Sequence, residues 1–361
     1  MPPKDKNVEQ RKQTQQKLEL MERYWAAYCN ILARSVGKGF CNTHLWLIDA
    51  MAGRGLHDSA LDPDGNRPGT PLQAVLAARD AQRAFPAVTV HVRASDIKKD
   101  LARELDARLA PHARDVDLRV DPMDWVKAAP AIQAEVASGA GHAYAGRHDH
   151  RSLWFIDPYG WKGIDRKTIS ALPIGAEVII NLDLTSLTRH AGRTEAVLRA
   201  ELDELFGSHA WADCEGEGYA YRLCMAKLFA DSYASKFRFR ETHPLRSSAG
   251  QERFMIHLAN TDRATKTFTR HVGEALRAGT VVAGKTLHHT QKDLAAKALW
   301  EKHRGRTMTI DELYDVDASY DRGQLRAICK AAADDGYGSW NRTSGVMEWR
   351  QDREPDPTLG L

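Results

Sequence analysis

The chain lacks the marks of several large protein classes. No apolar run approaches the roughly 18 residues that a membrane-crossing helix needs. Met1-Pro2-Pro3-Lys4-Asp5-Lys6 is charged, and no apolar stretch follows it, so no secretory signal is read there. Cysteine is scarce: Cys29, Cys41, Cys214, Cys224 and Cys329 are scattered, odd in number and never in a C-x-x-C pair. That pattern argues against a disulfide framework and a zinc knuckle, and it fits a reducing cytoplasm. A surplus of one charge is also missing. The 51 basic and 48 acidic residues leave +3, too little to argue for nucleic acid by itself. No internal repeat is visible. With 43% hydrophobic and 27% charged residues over 361 positions, the chain is expected to fold, as one large domain with an appendage or as two domains.

What is present alternates between short apolar runs and helical spacings. Leu45–Ile48, Leu153–Ile156 and Val178–Ile180 are continuous runs, as expected of parallel strands buried on both faces. Val88–Val92 and Val116–Val120 alternate apolar with polar residues and belong nearer a sheet edge. Between them, Thr70-Pro71 opens a helix with Thr70 as its expected cap, and Leu101, Leu105 and Leu109 recur at helical spacing. The fold class is α/β with a doubly wound, Rossmann-like sheet. Its first, fourth and fifth strands are central, so a ligand crevice falls where the order reverses, at the carboxyl ends of the first and fourth. Residues 1–16 read as a polar, frayed start. Leu18, Met21, Trp25, Tyr28 and Leu32 then share one face of a helix over 17–36.

Beyond residue 200, Lys236–Arg240 and Phe254–Leu258 are strand candidates for an antiparallel end to the sheet, with a helix from about Thr265 to Leu276 after them. From about residue 286 the chain reads as a small unit of three helices and a hairpin, a winged-helix shape. Thr309–Glu312 is a capping box there, and the hairpin folds at Thr343-Ser344-Gly345. The expected divisions are an N-terminal helical extension over 1–40, a Rossmann-like domain over 41–284, a winged-helix-like domain over 285–352 and a disordered tail over 353–361.

Acids end the first four successive strands. Asp49-Ala50-Met51-Ala52-Gly53-Arg54-Gly55 supplies an acid and a tight turn that lets a ligand approach the backbone. A third dinucleotide-binding glycine would fall at Asp58, which disfavours NAD and an oxidoreductase. Asp96 is placed to accept ribose hydroxyls, to cap a helix over 97–110, or both. In Asp121-Pro122-Met123-Asp124-Trp125 an acid could receive an adenine amino group, with Met123 or Trp125 against the ring. Asp157-Pro158-Tyr159-Gly160-Trp161 sets a carboxylate and two aromatics at the mouth of the fourth strand, for an amine and a stacked base or for inward packing. His142, His148 and His150 lack carboxylate or cysteine companions at ligand spacing and read as a solvated loop, so no metal is expected. Lys236, Arg238 and Arg240 could face phosphates or only solvent, and Arg322, Arg326 and Lys330 line the outer side of the last helix, where a winged helix enters a groove or binds protein.

Four acids in this order, with glycines after the first, are the arrangement class I S-adenosylmethionine-dependent methyltransferases use. The chain resembles the three-Cys-motif partner protein family, a bacterial and phage-associated, methyltransferase-like group. The matching pieces are Ile48–Gly55, Gly69-Thr70-Pro71, Phe155–Gly160, Val178–Asn181 with Arg189, and Leu205-Phe206-Gly207 before Trp211. The first motif is also similar to that of ribosomal-RNA adenine-N6 methyltransferases. The resemblance implies S-adenosyl-L-methionine as cofactor, held by Asp49, Ala52, Gly53, Gly55, Asp96, Ile97, Met123 and Asp124, with Asp157 and Tyr159 facing the acceptor. It also implies a nucleic-acid base or related nucleotide as acceptor, DNA or RNA as partner, and a radical-type partner protein with three cysteines. Base amino-methyltransferases usually carry Asp/Asn-Pro-Pro-aromatic. Here the second proline is missing and Tyr159 comes one place early, a departure that tells against N6-adenine chemistry. The alternative is a non-catalytic partner using the same crevice.

Overall fold

The computed structural model describes residues 6–36, 44–53, 55–57, 67–139, 151–158, 160–184, 196–215, 218–246, 252–281, 296, 299–316, 322–334 and 336–352. Met1–Phe268 and Thr269–Leu361 form two compact units.

In the first unit, β1 (His44–Asp49), β4 (Thr89–Ser95), β5 (Asp117–Asp121), β6 (Ser152–Ile156) and β7 (Ala176–Asp183) are parallel. β9 (Glu252–Ala259) joins β7 antiparallel, and β8 (Phe239–Arg246) joins β9 antiparallel. The order is β5-β4-β1-β6-β7-β9-β8. Leaving aside the short β2 (Leu56–His57) and β3 (Arg67–Pro68), which pair only with each other, this is strand order 3-2-1-4-5-7-6 with the seventh strand reversed. That is the class I methyltransferase sheet, and it reverses direction of winding between β1 and β6, as the sequence predicts.

Alternation of side chains sorts the two faces. Trp46, Ile48, Trp154, Ile156, Val178 and Ile180 share one core with α4 (Trp125–Gly139) and the helices Ala196–Phe206 and Gly218–Asp231. The opposite face carries Asp49 and, on β7, Glu177 and Asn181. Against it lie α1 (Lys6–Val36) and α2 (Thr70–Ala84). α1 begins far earlier than the frayed start expected from 1–16, because its apolar stripe is anchored further on. Leu18, Met21, Trp25, Tyr28 and Leu32 are all buried, joined by Leu20, Tyr24 and Cys29. The Tyr24 hydroxyl donates to Glu177 Oε2 at 2.7 Å, and its ring meets Phe268 edge-on at 5.0 Å.

Lys236–Arg238 do not join a strand as expected. Phe237 turns into the core, and β8 starts only at Phe239. A disulfide joins Cys214 to Cys224, which the scattered cysteines gave no reason to expect. Among the described residues no helix is long and apolar enough to cross a membrane.

In the second unit, residues 299–303 are helical, followed by β10 (Thr307–Thr309), helices Ile310–Val316 and Arg322–Asp334, and the hairpin β11 (Gly338–Asn341) and β12 (Val346–Trp349). β10 pairs with β12, a strand the sequence reading missed. The capping box forms: the Thr309 amide donates to Glu312 Oε2 at 2.8 Å and the Glu312 amide to Thr309 Oγ1 at 3.2 Å. Leu325, Ile328 and Cys329 face inward, as their spacing predicts.

Candidate functional site

The carboxyl end of β1 is laced to those of its neighbours β6 and β4. The Ala50 amide donates to Phe155 O at 2.8 Å, the Ala52 amide to Ser95 O at 2.9 Å, and Ser95 Oγ returns a bond to Ala50 O at 2.8 Å. The Gly53 amide donates to Asp96 Oδ2 at 3.1 Å, and the Lys98 amide to Asp96 Oδ1 at 2.8 Å. Asp96 therefore binds the glycine turn as well as the next loop. It does not cap a helix over 97–110, because α3 (Lys99–Leu109) starts later, at Lys98 as N-cap and without a side-chain cap.

The two glycines have different surroundings. Gly53 has φ +61 and nothing within 4 Å of where a Cβ would stand, so its face is open to a ligand. Gly55, at φ +75, would drive a Cβ to 2.6 Å from Leu105 Cδ1. Gly53 is thus the glycine that leaves room, and Gly55 the one that lets the turn pack on α3.

Asp49 is fully buried, and its Oδ2 accepts the Thr70 hydroxyl at 2.6 Å. Thr70 is consequently not the cap of α2. That position falls to Gly69, and the hydroxyl is spent on the acid. No hydrogen bond of proper geometry reaches Asp49 Oδ1 among the described residues. Burial, helped by the charge of Asp157, pushes the Asp49 carboxyl up to about 7, against the pull of Thr70, Lys17 and the Met51 amide.

Asp157 follows β6. Its Oδ2 accepts from Lys17 Nζ at 2.5 Å and its Oδ1 from Asn181 Nδ2 at 2.6 Å. The Lys17 side chain is 7% exposed and that of Asp157 18%. Burial alone pushes the Asp157 carboxyl up. The Lys17 charge and hydrogen bond, the Asn181 amide and the Arg253 charge outweigh it and hold the group below its ordinary value. Sequence reasoning missed Lys17 entirely. Tyr159 lies outside the described residues. Trp161 is not at the mouth. It packs into the core, with Gly160 at φ 84 turning the chain before it.

At the third strand end, Asp121 is engaged by Arg119 Nε at 3.0 and 3.1 Å, and Asp124 Oδ1 accepts the Val126 amide at 2.9 Å at the start of α4. Trp125 is buried, with Nε1 donating to Gly163 O at 2.9 Å, so of the two candidates only Met123 remains at the surface. Ile97 is 67% and Met123 40% exposed. Each stands two residues past a paired position, Ser95 on β4 and Asp121 on β5, so both lie just beyond the carboxyl ends of adjacent strands.

Arg240 is spent on Asp231 Oδ1 at 3.2 Å and on the carbonyls of Phe237 and Arg238. Arg326 and Lys330 are exposed on the helix Arg322–Asp334. His142, His148, His150 and Arg189 lie outside the described residues. Among the described residues no group of acids, histidines and cysteines is placed to hold a metal ion.

No family model matches the chain, and no curated protein matches it. Similar solved structures include protein LPL1258 from Legionella pneumophila str. Philadelphia 1, at 12% identity and TM-score 0.41, over 73% of this chain and 91% of that one. Another is Trm1 from Pyrococcus horikoshii with S-adenosyl-L-methionine, at 12% identity and TM-score 0.36, over 71% of this chain and 58% of that one. Neither likeness carries an argument about activity, and the resemblance to the three-Cys-motif partner family stands on its motifs alone.

Proposed function

We propose that the chain binds S-adenosyl-L-methionine across the carboxyl ends of β1, β4 and β5 and transfers its methyl group to a nitrogen presented at Asp157. The observation that carries this reading is Asp96. Its carboxylate is seated on the amide of the open Gly53 turn, with Ile97 and Met123 exposed just beyond the strand ends, on a sheet of methyltransferase order. In this reading the Gly53 face takes the methionine part, Asp96 the ribose hydroxyls, and Ile97 and Met123 the adenine faces. When bound, the cofactor supplies an electrophilic methyl group on a sulfonium. Transfer to a neutral nitrogen then rests on positioning rather than on a strong base. Asp157, ionised and fixed by two donors, keeps free lone pairs to accept a hydrogen bond from the acceptor amine.

The acceptor in this proposal is a base of a nucleic acid or a related nucleotide. The second unit would dock the partner as a winged helix, a reading supported by its helix–strand–helix–helix–hairpin order and by exposed Arg326 and Lys330 on its last helix. The test is titration calorimetry of the full chain with S-adenosyl-L-methionine and with its demethylated product, beside Asp96→Ala. Transfer of labelled methyl to RNA, DNA and free nucleotides is then measured. Saturable binding lost in a folded Asp96→Ala supports the cofactor site. Absence of binding by the wild type sinks it.

One observation favours a second reading, a non-catalytic partner of a three-Cys-motif radical-type protein. Both Asp157 oxygens already have a donor from within the chain. Donor binding without turnover on any acceptor would support that alternative.

A further inference from the structure

Lys17 is a buried cation on a helix whose apolar stripe is packed into the fold. Leu18, Leu20, Met21, Tyr24 and Trp25 around it are at most 1% exposed, and seven residues on, Tyr24 ties the same helix to Glu177. Seven helical residues rise about 10 Å, close to the roughly 13 Å from Glu177 to Asn181 along β7. α1 therefore runs antiparallel to β7, fastened near both of that strand's ends. Its fixed frame delivers an ammonium to the end of β6, 140 residues away in sequence.

We infer that Lys17 is a positioning residue of the acceptor site: its buried ammonium, bonded to Asp157 Oδ2, holds that carboxylate ionised and in one orientation. The inference rests on the proposed acceptor role of Asp157. A latch that merely docks α1 would need no carboxylate at the mouth of the crevice, since the apolar stripe already buries the helix. The groups around Asp157 are Lys17 from α1, Asp49 from β1, Asn181 from β7 and Arg253 from β9. Asp49 is the one acid among these four. Without Lys17, burial opposes the Asp157 charge and Arg253 is the remaining cation acting on it. Asn181 cannot compensate, because its amide fixes geometry but brings no charge.

The test is a carboxyl-carbon NMR titration of the ligand-free full chain labelled at aspartate. Asp49→Asn and Asp157→Asn assign the two resonances. In the wild type, Asp157 is expected to stay ionised down to the acid limit of the folded protein, with Asp49 titrating by itself. In Lys17→Gln, which keeps a donor and loses the charge, the Asp157 carboxyl is expected to titrate at clearly higher pH than in the wild type. Lys17→Arg should restore the wild-type curve. Lys17→Met repeats the loss without a donor, so the conclusion does not hang on one variant's folding. If Asp157 titrates as in the wild type in folded Lys17→Gln or Lys17→Met, the inference is overturned and Lys17 is only a docking contact. The titration uses no cofactor, so its failure is separate from a failure to bind S-adenosyl-L-methionine, which the calorimetry reads independently.

Discussion

The Thr70 hydroxyl donates to Asp49 Oδ2 at 2.6 Å, so the first turn of α2 is bonded to the end of β1. Thr70→Val is nearly isosteric and removes only that donor. Leaving the buried carboxylate oxygen without it should cost about 1–3 kcal/mol and push Asp49 higher still. Denaturant unfolding at pH 8, where the acid is mostly ionised, should show a larger loss than unfolding at pH 5. An equal loss at both would mean that packing, rather than the acid, is what Thr70 serves.

Asp96 accepts hydrogen bonds from two backbone amides. If it also accepts ribose hydroxyls, Asp96→Ala should weaken binding of S-adenosyl-L-methionine and its demethylated product alike, by roughly 10- to 100-fold. Ile97→Ser and Met123→Ser should weaken both ligands to a smaller extent and leave the melting temperature unchanged, because these side chains are exposed. Binding that survives all three changes would remove the cofactor from this end of the sheet.

Asp49 also sets a pH dependence of stability. In the unfolded chain its carboxyl titrates near the ordinary aspartate value of roughly 4, whereas in the fold burial holds it up to about 7. Between those values the folded chain keeps a proton that the unfolded chain has released. Asp49's contribution to stability is therefore present below about pH 4, falls as pH rises toward 7, and stays lost above. Asp49→Asn should remove that slope and be relatively more stable than the wild type at pH 8 than at pH 5. Paired denaturant curves at the two values measure the difference. A difference of zero would show that Asp49 titrates normally in the folded chain.

The Cys214–Cys224 disulfide closes a short loop, the cysteines being 10 residues apart. A closure of that length is worth roughly 3 kcal/mol through the unfolded chain. Thermal unfolding with and without reductant, beside a Cys214→Ser/Cys224→Ser double variant, should show the wild type falling to the level of the variant on reduction. The variant itself should not respond.

The sheet could be read from the sequence because its evidence is local. Uninterrupted runs such as Leu153–Ile156 mark strands buried on both faces, and the acid after each run marks the carboxyl end. The glycine turn and Asp96 followed from the same signal. What could not be read was decided by partners far away in the chain. Lys17 sits where the sequence turns from polar to apolar, and nothing local distinguishes it from a solvated lysine. Its role comes from the depth at which Leu18 and Met21 seat the helix. Thr70 looked like a cap because threonine before a proline usually is one, until a buried acid claimed its hydroxyl. The sequence leaves Trp161 open between a stacking aromatic and inward packing, and only the core that receives it decides for the second. Cys214 and Cys224 carry no pairing signal in a sequence with five scattered cysteines.

The double fastening of α1 also bears on how the chain is made. Lys17 waits for Asp157, 140 residues later, and Tyr24 for Glu177, 153 residues later. During synthesis the first helix emerges with Leu18, Leu20, Met21, Tyr24 and Trp25 uncovered, and it stays so until β6 and β7 have left the ribosome. Such long-range closures fold slowly and leave an adhesive surface in the interval, which favours capture by chaperones and aggregation of prematurely terminated chains. Nascent chains arrested before residue 177 should therefore be protease-sensitive along the whole helix.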